Sequence, residues 1–311
     1  MSQRTIILHY HIYKNAGTSF DHVLTHNFGD RHELFDGPFP FFTIDQEQLD
    51  RIIMRRLNAV AFSSHQIMLP PPSSLDYRAL AAIFVRNPFL RIASIYRFKR
   101  GPERPDGTPL GSLSPADLRA ELARQALEIQ RANNPGLPDD KLPPPEPLPA
   151  PEFDVTSAGD AARAHDLAGW IDYCLGSAAD IGNISNAQTR FFACQFRLRP
   201  VHARTEEGIV YDLGAALRTV ASVELLGRTE HFEADVARFG DILAQHGVTL
   251  RLPEDTRHNV THAAADSTAQ RVEAMLSSLP PALRDRLIDA NRQDVALYDR
   301  ACALIEQDHR V

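Results

Sequence analysis

Two kinds of hydrophobic patterning alternate along the first hundred residues. Unbroken apolar runs of strand length, "TIILHYHIY" (5–13), "NAVAF" (58–62) and "ALAAIFV" (79–85), each stop at a polar turn, "KNAGTS", "SSH" and "RNP" respectively. Their β-branched and aromatic content, and a length too short for a typical helix, predict buried strands. Behind the first turn a helix is predicted from Thr18 or Ser19 through "FDHVLTHNF". Behind the third, Asn87 suits an N-cap and Pro88 a first helical position, so a helix runs through "FLRIASIYRF". Strand, turn and helix in repetition, with apolar strands, predict an α/β fold: a mainly parallel sheet flanked by helices. Ligands of such sheets sit beyond the carboxyl ends of the strands, which places Lys14, His65 and Arg86 at one edge.

The pattern breaks between 101 and 157. "GPERPDGTPLGS" is rich in turn residues, 114–133 reads as a helix, and "NPGLPDDKLPPPEPLPAPEF" is dominated by proline, an extended excursion outside the core. Helical patterning returns at "DAARAHDLAGWIDYCLG" and from about Asn186. "SVELLG" (222–227) reads as a further strand, followed by a helix with Phe232, Val236, Phe239 and Leu243 on one face and Gly247 as its cap. Pro280 to Gln307 reads as one long amphipathic helix with Leu283, Leu287, Leu297, Ala301 and Leu304 in its buried stripe. The whole is expected to be a single domain over 1–311 with a Pro-rich insertion at about 101–157, without internal repeats.

Composition narrows the function classes. With 311 residues and 43% hydrophobic content the chain can bury a sizeable core. Its net charge of −7 excludes a surface wholly given to gripping nucleic acid, so an acidic ligand needs a focused site. Cys174, Cys194 and Cys302 have no metal-ligand spacing and suit a reducing compartment. No metal site is expected. Residues 1–20 lack a signal-peptide run and no 18 apolar residues are consecutive, so the expectation is a cytoplasmic protein without a membrane span.

The "KNAGTS" turn offers backbone N–H groups, a helix N-terminus and an ammonium group to one volume, an anion-binding arrangement. It is not a Walker A loop, because Lys14 precedes the only glycine. On spacing alone it is equally an ordinary strand-to-helix connection with an exposed lysine. On a helix starting near Pro88, positions 87, 91, 94 and 98 share a face, so Ser94 lines up with Arg86 at the strand end. Arginine's fork suits a terminal phosphate, whereas Arg91 reads as a structural ion pair. His65 is the candidate general base, with His32 or Glu33 as substitutes; His9 and His11 read as hydrogen-bonded core residues. "RFKRGPER" (97–104) is either an acidic-acceptor patch or a solvated helix end.

"HIYKNAGTSF" resembles the 5′-phosphosulfate-binding motif of sulfotransferases that use 3′-phosphoadenosine 5′-phosphosulfate (PAPS), and "AIFVRNPFLRIASIYRF" resembles their 3′-phosphate strand, turn and helix. "NAQTRFF", "LLGRTEHFE" and "NRQDVALY" are similar to patterns of the Golgi-type and bacterial branch that includes uronyl 2-O-sulfotransferases. The likeness runs from about residue 5 to 305 apart from 101–157; Tyr13 stands where the family usually has proline and Asn87 where it usually has aspartate. The resemblance implies a P-loop-like sulfotransferase fold and transfer of a sulfuryl group from PAPS to an acceptor hydroxyl, on a carbohydrate or glycolipid. It implies cofactor contacts from Lys14, Asn15, Ala16, Gly17, Thr18, Ser19, Phe20, Arg86 and Ser94, with Lys14 and His65 catalytic and no metal. The alternatives are a Mg²⁺-dependent nucleotide phosphoryl transferase, kinase-like, and a non-catalytic nucleotide-binding protein.

Overall fold

β1 (Arg4–Tyr10) is the middle strand of a five-stranded sheet and pairs with a parallel neighbour on each side, which is why its residues from Ile6 to Tyr10 are all buried. The computed structural model describes residues 3–39, 43–138, 141–195, 204–205, 208–254 and 267–308. The other strands of the sheet are β2 (His32–Leu34), β3 (Ala61–Ser64), β4 (Tyr77–Val85) and β7 (Leu225–Arg228), in the order β2-β3-β1-β4-β7 and all parallel. A separate two-stranded pair is formed by β5 (Arg204–Thr205) and β6 (Gly208–Ile209). The α/β, parallel-sheet architecture is the expected one.

The sheet and the helices that cover it form one of two compact units, residues 1–92 with 175–311. Alternation along β1 splits its core. Ile6, Leu8 and Tyr10 join a cluster with α2 (Gln46–Arg55) and α12 (Arg292–Asp308), whereas Ile7 joins Phe20 of α1 (Gly17–Phe28) and Phe239 of α9 (Phe232–Ala244). α2 starts on a capping box, in which the Asp45 carboxylate accepts from the Gln48 N–H and the Gln48 side chain from the Asp45 N–H. The first unit also holds α7 (Ala187–Phe192), α8 (Leu213–Val220), α10 (Thr268–Ser277) and α11 (Pro281–Asp289).

The second unit, residues 93–174, carries most of α3 (Pro88–Arg100), then α4 (Pro115–Asn133), α5 (Ser157–Ala164) and α6 (Leu167–Gly176). Trp170 is its anchor, fully buried with its indole N–H donating to the Ala158 carbonyl at 2.9 Å. The proline-dominated stretch forms no long element among its described residues, and its Asp139 and Asp140 lie outside them. "RFKRGPER" is neither a patch nor a simply solvated end: Lys99 is buried against Asp154 at 3.1 Å, Arg100 pairs with Glu103, and Arg104 meets buried Glu121 at 3.2 Å.

Element boundaries differ from expectation where tertiary contacts intervene. The first strand ends at Tyr10 rather than Tyr13, because the chain turns over Tyr13 to Ala16, and α1 begins at Gly17. The C-terminal helix is two helices, broken at Asn291, whose buried carboxamide donates to the carbonyls of Ile184 and Leu287. Edge strand β2 and helix α2 were not anticipated from the pattern; β2 has only three residues. Asn87 does cap α3, its side-chain oxygen accepting from the Phe89 and Leu90 N–H groups. Gly247 lies just past α9 with φ +74°, the conformation expected of a helix-ending glycine.

Asp294 ties two of the sequence motifs together. It is 1% exposed and accepts from the N–H groups of Gln188 and Thr189 and from the Thr189 hydroxyl, while Asn186 accepts from the N–H groups of Gln293 and Asp294. Replacing Asp294 with alanine strands three buried donors. Each unsatisfied group is costly, and a loss on the order of 3 kcal/mol is expected. Chemical denaturation of Asp294→Ala checks it, with Asp294→Asn expected to lose less because one acceptor oxygen remains.

Candidate functional site

The strand ends bring the predicted residues to one edge. Lys14 follows β1, His65 follows β3 and Arg86 follows β4, three adjacent parallel strands. The β1 turn is backbone-shaped: Lys14 has φ +64° and Ala16 φ +62°, on either side of Asn15. Such conformations cost non-glycine residues on the order of 1–3 kcal/mol each and persist only where surroundings enforce them. Enforcement comes from Asn15, 1% exposed, whose amide donates to the Phe84 carbonyl at 2.9 Å and to Gln188 Oε1 at 2.7 Å. Gln188 Oε1 also accepts from the Arg86 N–H, and its amide returns to the Arg86 carbonyl at 2.8 Å. Arg86 Nη1 in turn donates to the Lys14 carbonyl at 2.9 Å, so both turns are fastened through one carboxamide.

Helix α1 rises from this turn with Ala16 as N-cap, no side-chain cap and no acidic residue in its first turn. Its leading N–H groups therefore present an uncapped positive end to the open side of the turn. Thr18 is exposed and Ser19 half-buried there. Gly17 is required by contact, because a Cβ at that position would lie 1.9 Å from the His11 ring. Two of the residues singled out by motif serve the scaffold instead. Phe20 is fully buried among His9, Phe84 and Phe239, so it supports α1 from below, and Asn15 is spent on the cross-turn bonds.

Arg91 is buried as a structural group, but on carbonyls rather than a carboxylate pair: Nε donates to Tyr13 and Nη1 to Asn183. Burial pulls its pKa down, with nearby Asp294 opposing. Ser94 sits half-buried on α3 and belongs to the second unit. Glu230, from the "LLGRTEHFE" stretch, accepts from the Asn87 N–H at 3.0 Å and the Tyr298 hydroxyl at 3.1 Å, which pins the β4 turn to α12.

His65 lies at the mouth of a cavity of about 200 Å³ lined also by His11, Asp21, Asp36, Ser63 and Ser64. Asp36 fixes its orientation. One carboxylate oxygen is 3.0 Å from His65 Nδ1, and the other accepts from the His65 N–H at 3.0 Å and the Ser64 hydroxyl at 2.8 Å. With Nδ1 engaged by a carboxylate, Nε2 is the nitrogen left to accept a proton. The ring stacks on His11 at 3.9 Å between centroids. Neither substitute base is as well placed. His32 is buried with both ring nitrogens engaged, by Thr25 at 2.9 Å and Ser63 at 2.9 Å, and Glu33 pairs with Arg56 at 3.3 Å.

Asp21 and Asp36 escaped the sequence reading. Asp21 stands on α1 one turn after Gly17, and folding swings it against His9 and His11, with Nδ1-to-carboxylate distances of 2.7 Å and 3.1 Å. Those imidazoles hold its carboxyl well below the usual range despite burial. The i, i+2 spacing of the histidines was the signal: His9 lies in β1, and His11, just past its end, still donates its N–H to the Ser64 carbonyl at 3.0 Å. Asp36 follows edge strand β2, whose register beside β3 carries it to His65.

No protein-family model matches the chain. An uncharacterized protein of Archaeoglobus fulgidus is 38% identical over 101 residues, 31% of this chain; the chain covers 40% of that protein's length. None of the described helices is long and apolar enough to cross a membrane.

Burial also sets a pH dependence. His32 is pushed down to about 4 by desolvation, from 6.5. The folded state therefore holds it neutral where the unfolded chain protonates it, so this stability is complete above pH 6.5 and drains away as pH falls toward 4. A loss of about 3 kcal/mol across that window is expected in denaturant titrations. His32→Gln should flatten the dependence, leaving the share due to buried His9, whose pKa is lowered in the same direction.

Proposed function

We propose that the protein is a sulfotransferase that moves a sulfuryl group from PAPS to an acceptor hydroxyl, most naturally on a carbohydrate or glycolipid. The observation that carries this reading is the convergence at one sheet edge of an uncapped, backbone-shaped turn bearing Lys14, a guanidinium at Arg86 fastened to that turn, and an imidazole oriented by Asp36. In this reading the N–H groups of Ala16 to Ser19 and the Lys14 ammonium receive the 5′-phosphosulfate, stabilising charge that builds on the departing phosphate. Arg86 holds the 3′-phosphate, as the family resemblance implies, and lends remote binding energy to alignment. His65 Nε2 takes the acceptor proton, with Asp36 stabilising the resulting imidazolium.

The acceptor has a natural approach. A second cavity of about 410 Å³ shares Phe35 and Asp36 with the first and is walled by Arg51, Arg55 and Arg56 of α2 and its end together with Glu33, so a polar acceptor reaching His65 would pass charged groups of both signs. A kinase-like phosphoryl transferase would instead need Mg²⁺ and show no preference for a 3′-phosphate.

Two experiments test the reading. 3′-Phosphoadenosine 5′-phosphate should raise the melting temperature clearly more than AMP does, since a ligand at a hundredfold excess over its Kd adds about 2.7 kcal/mol. Arg86→Ala should erase the difference, and equal shifts in the wild type would defeat the assignment. In a transfer assay with a panel of hydroxyl acceptors, Lys14→Ala should lower turnover by a factor on the order of a hundred. His65→Ala should lower turnover with donor binding nearly intact, Asp36→Asn should do so to a smaller degree, and turnover should persist in EDTA.

A further inference from the structure

We propose that His9, His11 and Asp21 form a transition-metal site beneath His65, suited to Zn²⁺ or Co²⁺, through which such ions inhibit the protein. The binding claim stands on these residues alone; the inhibition rests on the proposed role of His65. Two imidazole nitrogens and a carboxylate oxygen, one from each residue, lie within 4.8 Å of one another. The two measured edges are 2.7 Å, from His9 Nδ1 to Asp21 Oδ1, and 3.1 Å, from His11 Nδ1 to Asp21 Oδ2. Bonds of 2.0–2.2 Å to a tetrahedral zinc place neighbouring ligand atoms about 3.3 Å apart, so the set needs only small adjustments to enclose an ion.

The ligands are held by rigid elements. His9 ends the pairing of β1 with β4 and is 1% exposed, and Asp21 sits in the second turn of α1, which the packing of Phe20 fixes. The Ser63 hydroxyl, 3.1 Å from His9 Nδ1 and itself within 2.9 Å of His32, offers a further oxygen on the same side. His11, Asp21 and Ser63 all line the cavity at whose mouth His65 lies, which gives an ion its entry. Two nitrogens with carboxylate and hydroxyl oxygens is a donor set that favours zinc-like ions over Mg²⁺ or Ca²⁺. On binding, the ion takes over Nδ1 of each imidazole, and each neutral ligand carries its one proton on Nε2. An ion there lies at the edge of the His11 ring on which His65 stacks, in the cavity that both residues line.

The test uses the full chain freed of metal with EDTA and titrated with Co²⁺. The expected result is a visible d–d absorption that saturates at one equivalent and is displaced by Zn²⁺. Asp21→Asn and His11→Gln should weaken binding at least tenfold, while His246→Gln and His26→Gln should not. X-ray absorption of the Co²⁺-loaded wild type, which requires no variant to fold, should count two imidazoles plus oxygen ligands. A lack of saturable absorption, a count other than two imidazoles, or loss of binding only in the His246 and His26 variants would overturn the site. These readouts are blind to turnover, so they stand whether or not sulfuryl transfer is found; where it is found, Zn²⁺ should suppress it and EDTA restore it.

Discussion

One carboxamide is shared by the two turns that carry Lys14 and Arg86. Gln188 accepts from the Asn15 side chain and the Arg86 N–H with a single oxygen, and returns its own amide to the Arg86 carbonyl. Because the β1 and β4 turns belong to adjacent strands but to distant parts of the sequence, nothing local could keep them in step. Gln188 does so from a helix 102 residues beyond Arg86. Its own position depends on Asp294, which receives the N–H groups at the start of α7. Burial raises the Asp294 carboxyl above its usual value, opposed by those N–H donors and by Arg91. The strained φ values at Lys14 and Ala16 are the visible consequence of this fastening.

The scaffold explains what the later motifs do. "NAQTRFF", "LLGRTEHFE" and "NRQDVALY" contribute Gln188, Glu230 and Asp294, each a buried or half-buried acceptor for backbone or side-chain donors of another motif. Their bonds hold the β1 and β4 turns in place. A functional reading based on those stretches therefore concerns positioning, and the groups that would touch a ligand come from the three strand ends.

Histidine is used in two ways within a few ångströms. His65 is half-exposed and held by Asp36, which leaves a nitrogen open to the cavity. His9 and His11 are enclosed around Asp21, in an anionic setting that suits either shared protons or a metal ion. The stack of His11 on His65 couples the two environments.

The sequence by itself determined the architecture and the location of the edge. Apolar runs of strand length, turn residues and an Asn-Pro helix start are local signals, and strand alternation and capping act over a few residues. From them came the parallel sheet, the α3 start, and Lys14, His65 and Arg86 at one sheet edge. Tertiary structure alone decided which of the 13 histidines meet carboxylates, because that depends on strand order and on how α1 packs back over β1. It also turned Phe20 into the core, gave Asn15 to Gln188, and broke the last helix at Asn291, whose carboxamide reaches the carbonyl of a residue 107 positions away. Hydrogen bonds between residues far apart in the chain leave no periodic trace in it, and those bonds are what make an edge of strand ends into a site.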